Sequence, residues 1–80
     1  MMSERLHKLI SKVMNVPISK ISDDSGPESI DSWTSFNGYV LLYELETEFN
    51  VKFVIDEVVD VKTVRDIKRH LKNHGIVLND

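Results

Sequence analysis

The 80-residue chain predicts an all-α fold: a small bundle of three main helices, a short extra helix before the last, and a long loop after the first. Three observations carry that prediction. Apolar residues recur at helical spacing in three separate segments. Both prolines fall in one loop-like stretch between the first two of these segments. The one extended apolar stretch, "VKFVI" (Val51–Ile55), is too short to found a sheet. Packing helix on helix around one core is then the economical way to bury the stripes, so residues 1–80 read as a single domain.

The first helix is read from Leu6, Leu9, Ile10 and Val13, which fall at i, i+3, i+4 and i+7. Ser3 is its expected N-cap. It should stop near Met14–Asn15, because a residue preceding proline is pushed out of the helical region and Pro17 follows closely. Residues 15–33 then form a loop, with Val16, Ile18, Ile21 and Ile30 expected to pin it to the core. Loops this long inside a compact domain are unusual and often functional.

The second helix should span Ser35 to Phe49. Its apolar positions, Phe36, Tyr39, Val40, Leu42, Tyr43, Leu45 and Phe49, cover more than one stripe, which predicts a central helix touching several others. Trp33, just before it, is expected to pack one turn in as a hydrophobic staple. Asn50 is the expected C-cap. "DEVVDV" (Asp56–Val61) makes one or two helical turns, with Asp56 as cap. Thr63 opens the last helix, with Asp66 completing a capping box. Val64, Ile67 and Leu71 form its buried stripe, and Gly75 ends it.

Composition excludes several functions. With no cysteine, disulfides and thiolate metal sites are ruled out. The longest apolar run, Tyr39 to Tyr43, is far short of the roughly 20 residues of a membrane span. The opening "MMSERLHKLI" lacks a signal peptide's apolar core, so the expected location is cytoplasmic. Charge is segregated. Residues 21–60 hold ten acids and one base, Lys52, while both ends are mildly basic. An acidic middle repels nucleic acid and favours a basic protein partner. The second helix ends in Glu44, Glu46 and Glu48, against its own dipole, which hints at a role other than stability. His70 and His74 stand one helical turn apart. Without a nearby carboxylate or cysteine in view they read as surface histidines at a helix C-terminus, not as metal ligands. No serine has a base and an orienting group beside it, so no catalytic residue is assigned.

The ordered set "WTSF" (Trp33–Phe36), "LLYELETEF" (Leu41–Phe49), "NVKF" (Asn50–Phe53) and "KTVRDIKRHL" (Lys62–Leu71) resembles the acyl carrier protein family over essentially the whole chain. That family reads W-D-S-L at the start of the second helix, followed by an apolar stretch and L-E-x-E-F. The resemblance implies a non-enzymatic carrier that holds acyl groups as thioesters on a 4′-phosphopantetheine arm donated by coenzyme A. It implies a serine as the attachment point and two kinds of partner. One is a phosphopantetheinyl transferase; the others are acyl-transferring or acyl-modifying enzymes of a lipid or specialised biosynthetic pathway. A monomer without membrane insertion is expected.

Two serines compete for the attachment. "DSW" (Asp31–Trp33) copies the D-S-apolar triplet and points to Ser32; "WTSF" points to Ser35. In the family the serine lies fourteen residues before the phenylalanine of L-E-x-E-F, which from Phe49 leads to Ser35, with Ser32 as the fallback. Thr34 departs from the family's aspartate. A threonine still caps the helix, but the carboxylate that relatives present to the transferase is lost. Expected docking residues are Asp31, Thr34, Phe36, Glu44, Glu46, Glu48, Asp56, Glu57 and Asp60, facing basic patches on partners. An aminoacyl or peptidyl carrier, or an unmodified helical interaction module in which the serines only cap, are the alternative readings.

Overall fold

The computed structural model describes the backbone of residues 2–78 and the side chains of residues 4–78. Four α-helices form: α1 (Met2–Met14), α2 (Ser35–Phe49), α3 (Ile55–Asp60) and α4 (Val64–Asn73), with a 3₁₀ turn at Ile18–Lys20. No strand occurs among the described residues. The small helical bundle expected from the sequence is therefore the fold. One boundary differs at the start: α1 already includes Ser3, so this residue is not the N-cap by position, and its side chain lies outside the described residues.

The core is built from the stripes. Leu6, Ile10 and Met14 of α1, Leu41 and Leu45 of α2, and Val64, Ile67 and Leu71 of α4 are fully buried. Three helix ends use the same stop. Asn15, Asn50 and Gly75 all adopt positive φ, of 56°, 54° and 86°. The following apolar residue then donates its N–H back into the helix: Val16 to Ser11 O, Val51 to Glu46 O and Ile76 to Leu71 O, at 3.0–3.2 Å. This closes carbonyls that would otherwise lack a partner and turns an apolar side chain onto the core. The capping box at α4 also forms. Thr63 Oγ1 accepts from Asp66 N–H at 3.4 Å, and Asp66 Oδ2 accepts from Thr63 N–H at 3.2 Å and from Lys62 N–H at 2.8 Å.

The long loop is laid along α4. Its Asp23 and Ser25 carbonyls accept the N–H groups of Arg65 and Val64 at 2.8 and 2.9 Å, supplying partners to the first turn of α4. Lys68 and Arg65 reach back to Asp23 and Asp24 at 2.7 and 2.8 Å. Ile21 and Ile30 are buried and Val16 half-buried, as expected. Ile18 is not a pin: it stands 42% exposed on the 3₁₀ turn. Ser25 and Gly26 are buried instead, because the loop crosses the Lys62–Thr63 backbone at that point.

The acids that hold these contacts set the response to acid. Lys68 holds the Asp23 carboxyl below its ordinary range, and Arg69, then His70, do the same for Asp60. Burial pushes Asp66 up, but the Lys62 N–H, Arg69 and the Thr63 N–H outweigh it and the net shift is downward. A carboxyl with a lowered folded-state pKa adds stability above its unfolded value, near 4, and loses it as pH falls through the folded value. Thermal unfolding followed by circular dichroism should therefore give a melting temperature that drops steadily below about pH 4. A melting temperature as high at pH 2.5 as at pH 5 would contradict these assignments.

Candidate functional site

The N-terminus of α2 is built by Thr34, not by either serine. Thr34 sits in extended conformation as the N-cap, and its Oγ1 accepts the Asn37 N–H at 3.2 Å. Asn37 in turn donates its side-chain amide to the Ser32 carbonyl at 2.7 Å. Ser32 is occupied structurally. Its half-buried hydroxyl donates to the Met14 carbonyl at the end of α1, at 2.6 Å. Ser35 is the first residue of α2 and is exposed. Neither its hydroxyl nor the first-turn N–H groups of Ser35 and Phe36 have a partner among the described residues. An anionic ester oxygen is favoured at such a helix start by the free N–H groups and the positive dipole end.

Ser35 also borders a groove of about 460 Å³ between α2 and α3. Leu41 and Leu42 of α2, Val58 and Val59 of α3, and Ile67 below them supply its apolar side, and the lining as a whole is mixed, with Lys62, Thr34 and Ser35 among its polar members. Trp33 packs as the expected staple. The residue one turn in is Gly38, where an added Cβ would meet the indole Nε1 at 3.4 Å. Glycine at this mid-helix position costs about 1 kcal/mol in propensity. In return the buried indole lies almost on the helix backbone and forms part of the groove.

The outer face of α2 departs from expectation. Phe36, Tyr39 and Tyr43 are 74%, 60% and 67% exposed. Of the expected positions Leu42, Leu45 and Phe49 are buried, joined by Leu41, so α2 is a one-sided helix with an aromatic outer stripe. The apolar girth was legible in the sequence, but which arc faced inward depended on where α1 and α4 packed.

The nine expected docking residues separate into two groups. Asp31, Glu44 and Asp56 form no ion pair among the described residues, and Phe36 is fully presented. The others have internal tasks. Thr34 is the cap. Glu46 accepts the Phe53 N–H at 2.8 Å. Glu48 receives Arg5 at 2.6 Å, and Arg5 also lies 4.9 Å above the Phe49 ring. Glu57 accepts the Val54 N–H at 2.9 Å and thereby caps α3, which starts at Ile55, one residue before the expected Asp56 cap. Asp60 pairs with Arg69 at 2.7 Å and His70 at 2.8 Å. The persistence of acids against the α2 dipole thus has a structural explanation for Glu46 and Glu48.

The histidines are also corrected. His70 is buried, at 7% exposure, and carboxylates do stand beside both histidines: Asp60 and Glu57 on His70, and Glu57 on His74 at 2.8 Å. These acids lie ten to seventeen positions away in sequence, which hid them. No group of side chains suited to holding a metal ion occurs among the described residues. Among the described residues no helix is long and apolar enough to cross a membrane. No protein-family model matches the chain, and no curated protein matches it.

Proposed function

We propose that the chain is a carrier of the acyl carrier type, with Ser35 as the attachment point of a 4′-phosphopantetheine arm. The observation that carries this reading is the contrast between the two serines. One hydroxyl is spent on the Met14 carbonyl, while the other is exposed at a helix start and beside a groove of mixed polar and apolar lining. When bound, the arm supplies a thiol for thioester formation, a function this cysteine-free chain lacks. The chain's own residues supply address and orientation. Thr34 fixes the start of α2, Ser35 offers the hydroxyl, and the groove lined by Leu41, Leu42 and Val58 shelters an apolar cargo. Asp31, Glu44 and Asp56 remain available to steer basic partners around Phe36.

Intact-mass measurement after incubation with a phosphopantetheinyl transferase and coenzyme A tests the reading. One arm's mass should be gained per chain. Several unrelated transferases belong in the panel, since Thr34 replaces the carboxylate usual at that position of the family. No gain with any of them would favour the second reading, an unmodified interaction module, for which the exposed Phe36–Tyr39–Tyr43 stripe speaks.

A further inference from the structure

We propose that the groove beside Ser35 selects an acyl group with a carboxylate at its free end, read by the Trp33 indole N–H and the Lys62 side chain. The origin of such a group rests on the carrier reading above, whereas the groove itself belongs to the unmodified chain.

The groove holds a buried donor. Trp33 is 6% exposed, and its Nε1 has no hydrogen-bond partner among the described residues. Nε1 is not fully enclosed, and the ring lines the groove together with Gly38. The edge of the ring that carries Nε1 faces that glycine, 3.4 Å from where a Cβ would stand. A side chain at position 38 would sit over this edge; glycine leaves it open.

Charge points the same way. Residues 21–60 hold ten acids and one base, yet no carboxylate lines the groove among the described residues, and its one charged side chain is Lys62. Lys62 is exposed and forms no ion pair among the described residues. The two acids nearest it in sequence are engaged elsewhere: Arg69 pairs with Asp60 at 2.7 Å and with Asp66 at 2.9 Å. A lysine left without a counter-ion beside an open donor is suited to an incoming anion.

A plain hydrocarbon chain laid across the groove would cover the indole N–H without offering an acceptor, and a donor buried unpaired costs affinity. An acyl group that ends in a carboxylate keeps its methylenes on Leu41, Leu42 and Val58 and brings oxygens to the donors. The same charge repels an amine-ended cargo, which separates this class from an aminoacyl group.

The test uses the unmodified chain and two soluble thioesters of N-acetylcysteamine, glutaryl and hexanoyl, of similar length. N-acetylcysteamine alone, which has the amide and sulfur of the arm but no acyl group, is the third probe. The chain has one tryptophan, so its indole N–H gives a single NMR signal. The glutaryl thioester should move that signal downfield and bind about tenfold more tightly than the hexanoyl thioester, a preference that shrinks at high salt. Lys62→Gln should bring the two affinities within about twofold and leave the melting temperature unchanged, since the side chain is exposed and unpaired among the described residues. Replacing Trp33 would disturb the core, so the indole signal itself reports on that contact.

Equal affinities, or no measurable binding of either thioester, overturn the proposal. So does a preference that survives in Lys62→Gln, or an indole signal unmoved by the glutaryl thioester. A signal moved as far by N-acetylcysteamine alone would assign the groove to the arm and not to its cargo. A chain that loads at Ser35 but binds both thioesters equally contradicts the cargo class and leaves the carrier reading standing; one that prefers the glutaryl thioester but never loads does the reverse.

Discussion

Ser35→Ala is expected to abolish loading by a phosphopantetheinyl transferase and to leave the melting temperature within about 2 °C of the parent. Ser32→Ala is expected to load normally and to melt lower by about 5 °C. The two variants thus separate attachment from architecture. Among the described residues Ser35 makes no hydrogen bond through its hydroxyl, and alanine is acceptable to a helix at an exposed position, so little stability is at stake. Ser32 closes one of the orphan carbonyls at the end of α1, that of Met14, at 2.6 Å across eighteen positions of chain. Its removal leaves a partly buried acceptor unsatisfied, at a net cost of about 1 kcal/mol. Intact-mass spectrometry and a thermal melt on each variant give both readouts. Loading that survives in Ser35→Ala and disappears in Ser32→Ala would transfer the site to Ser32 and refute the assignment.

Gly26→Ala is expected to carry the larger stability loss, about 2–3 kcal/mol. A Cβ there would overlap the Lys62 carbonyl oxygen, with the Thr63 Cα in ordinary contact at 3.5 Å. Both neighbours are backbone, so neither can swing aside. The loop must lift, and lifting it weakens the Ser25 and Asp23 carbonyl bonds to the first turn of α4. With a urea m-value of about 1–2 kcal/mol/M for a domain of this size, the midpoint should fall by about 1–3 M. Gly75→Ala is the contrasting case. Nothing stands within 4 Å of its added Cβ, and the cost comes only from the φ of +86°. About 1 kcal/mol is expected there. An unchanged midpoint for Gly26→Ala would mean the loop does not lie on α4 as described.

Short-range features were legible because their physics is short-range. The α1 stripe of Leu6, Leu9, Ile10 and Val13, the Thr63–Asp66 box and the Gly75 stop each involve residues within a turn or two of one another. The start of α2 at Ser35 followed from the same kind of signal, a capping threonine ahead of an apolar run. The expectation failed where one choice depended on a distant neighbour. Tyr39 and Tyr43 were apolar enough for a core, but α1 and α4 approach the opposite arc of α2 and leave them outside. Ile18 lost its place as a pin to Gly26, whose importance appears only against the Lys62 carbonyl. The run of acids could not be divided into free and engaged members until Arg5 reached Glu48 and Arg69 reached Asp60.

The amino-acid sequence alone determined that this protein is a helical bundle, where its second and last helices begin and end, and that a serine stands at the opening of the second one. Periodicity and capping act between neighbours, and neighbours are given by the chain. Tertiary structure alone decided that Ser32 is tied to Met14 while Ser35 faces a groove, and that His70 is buried between two carboxylates. Those outcomes depend on pairings across tens of residues, which exist only once the chain has folded back on itself.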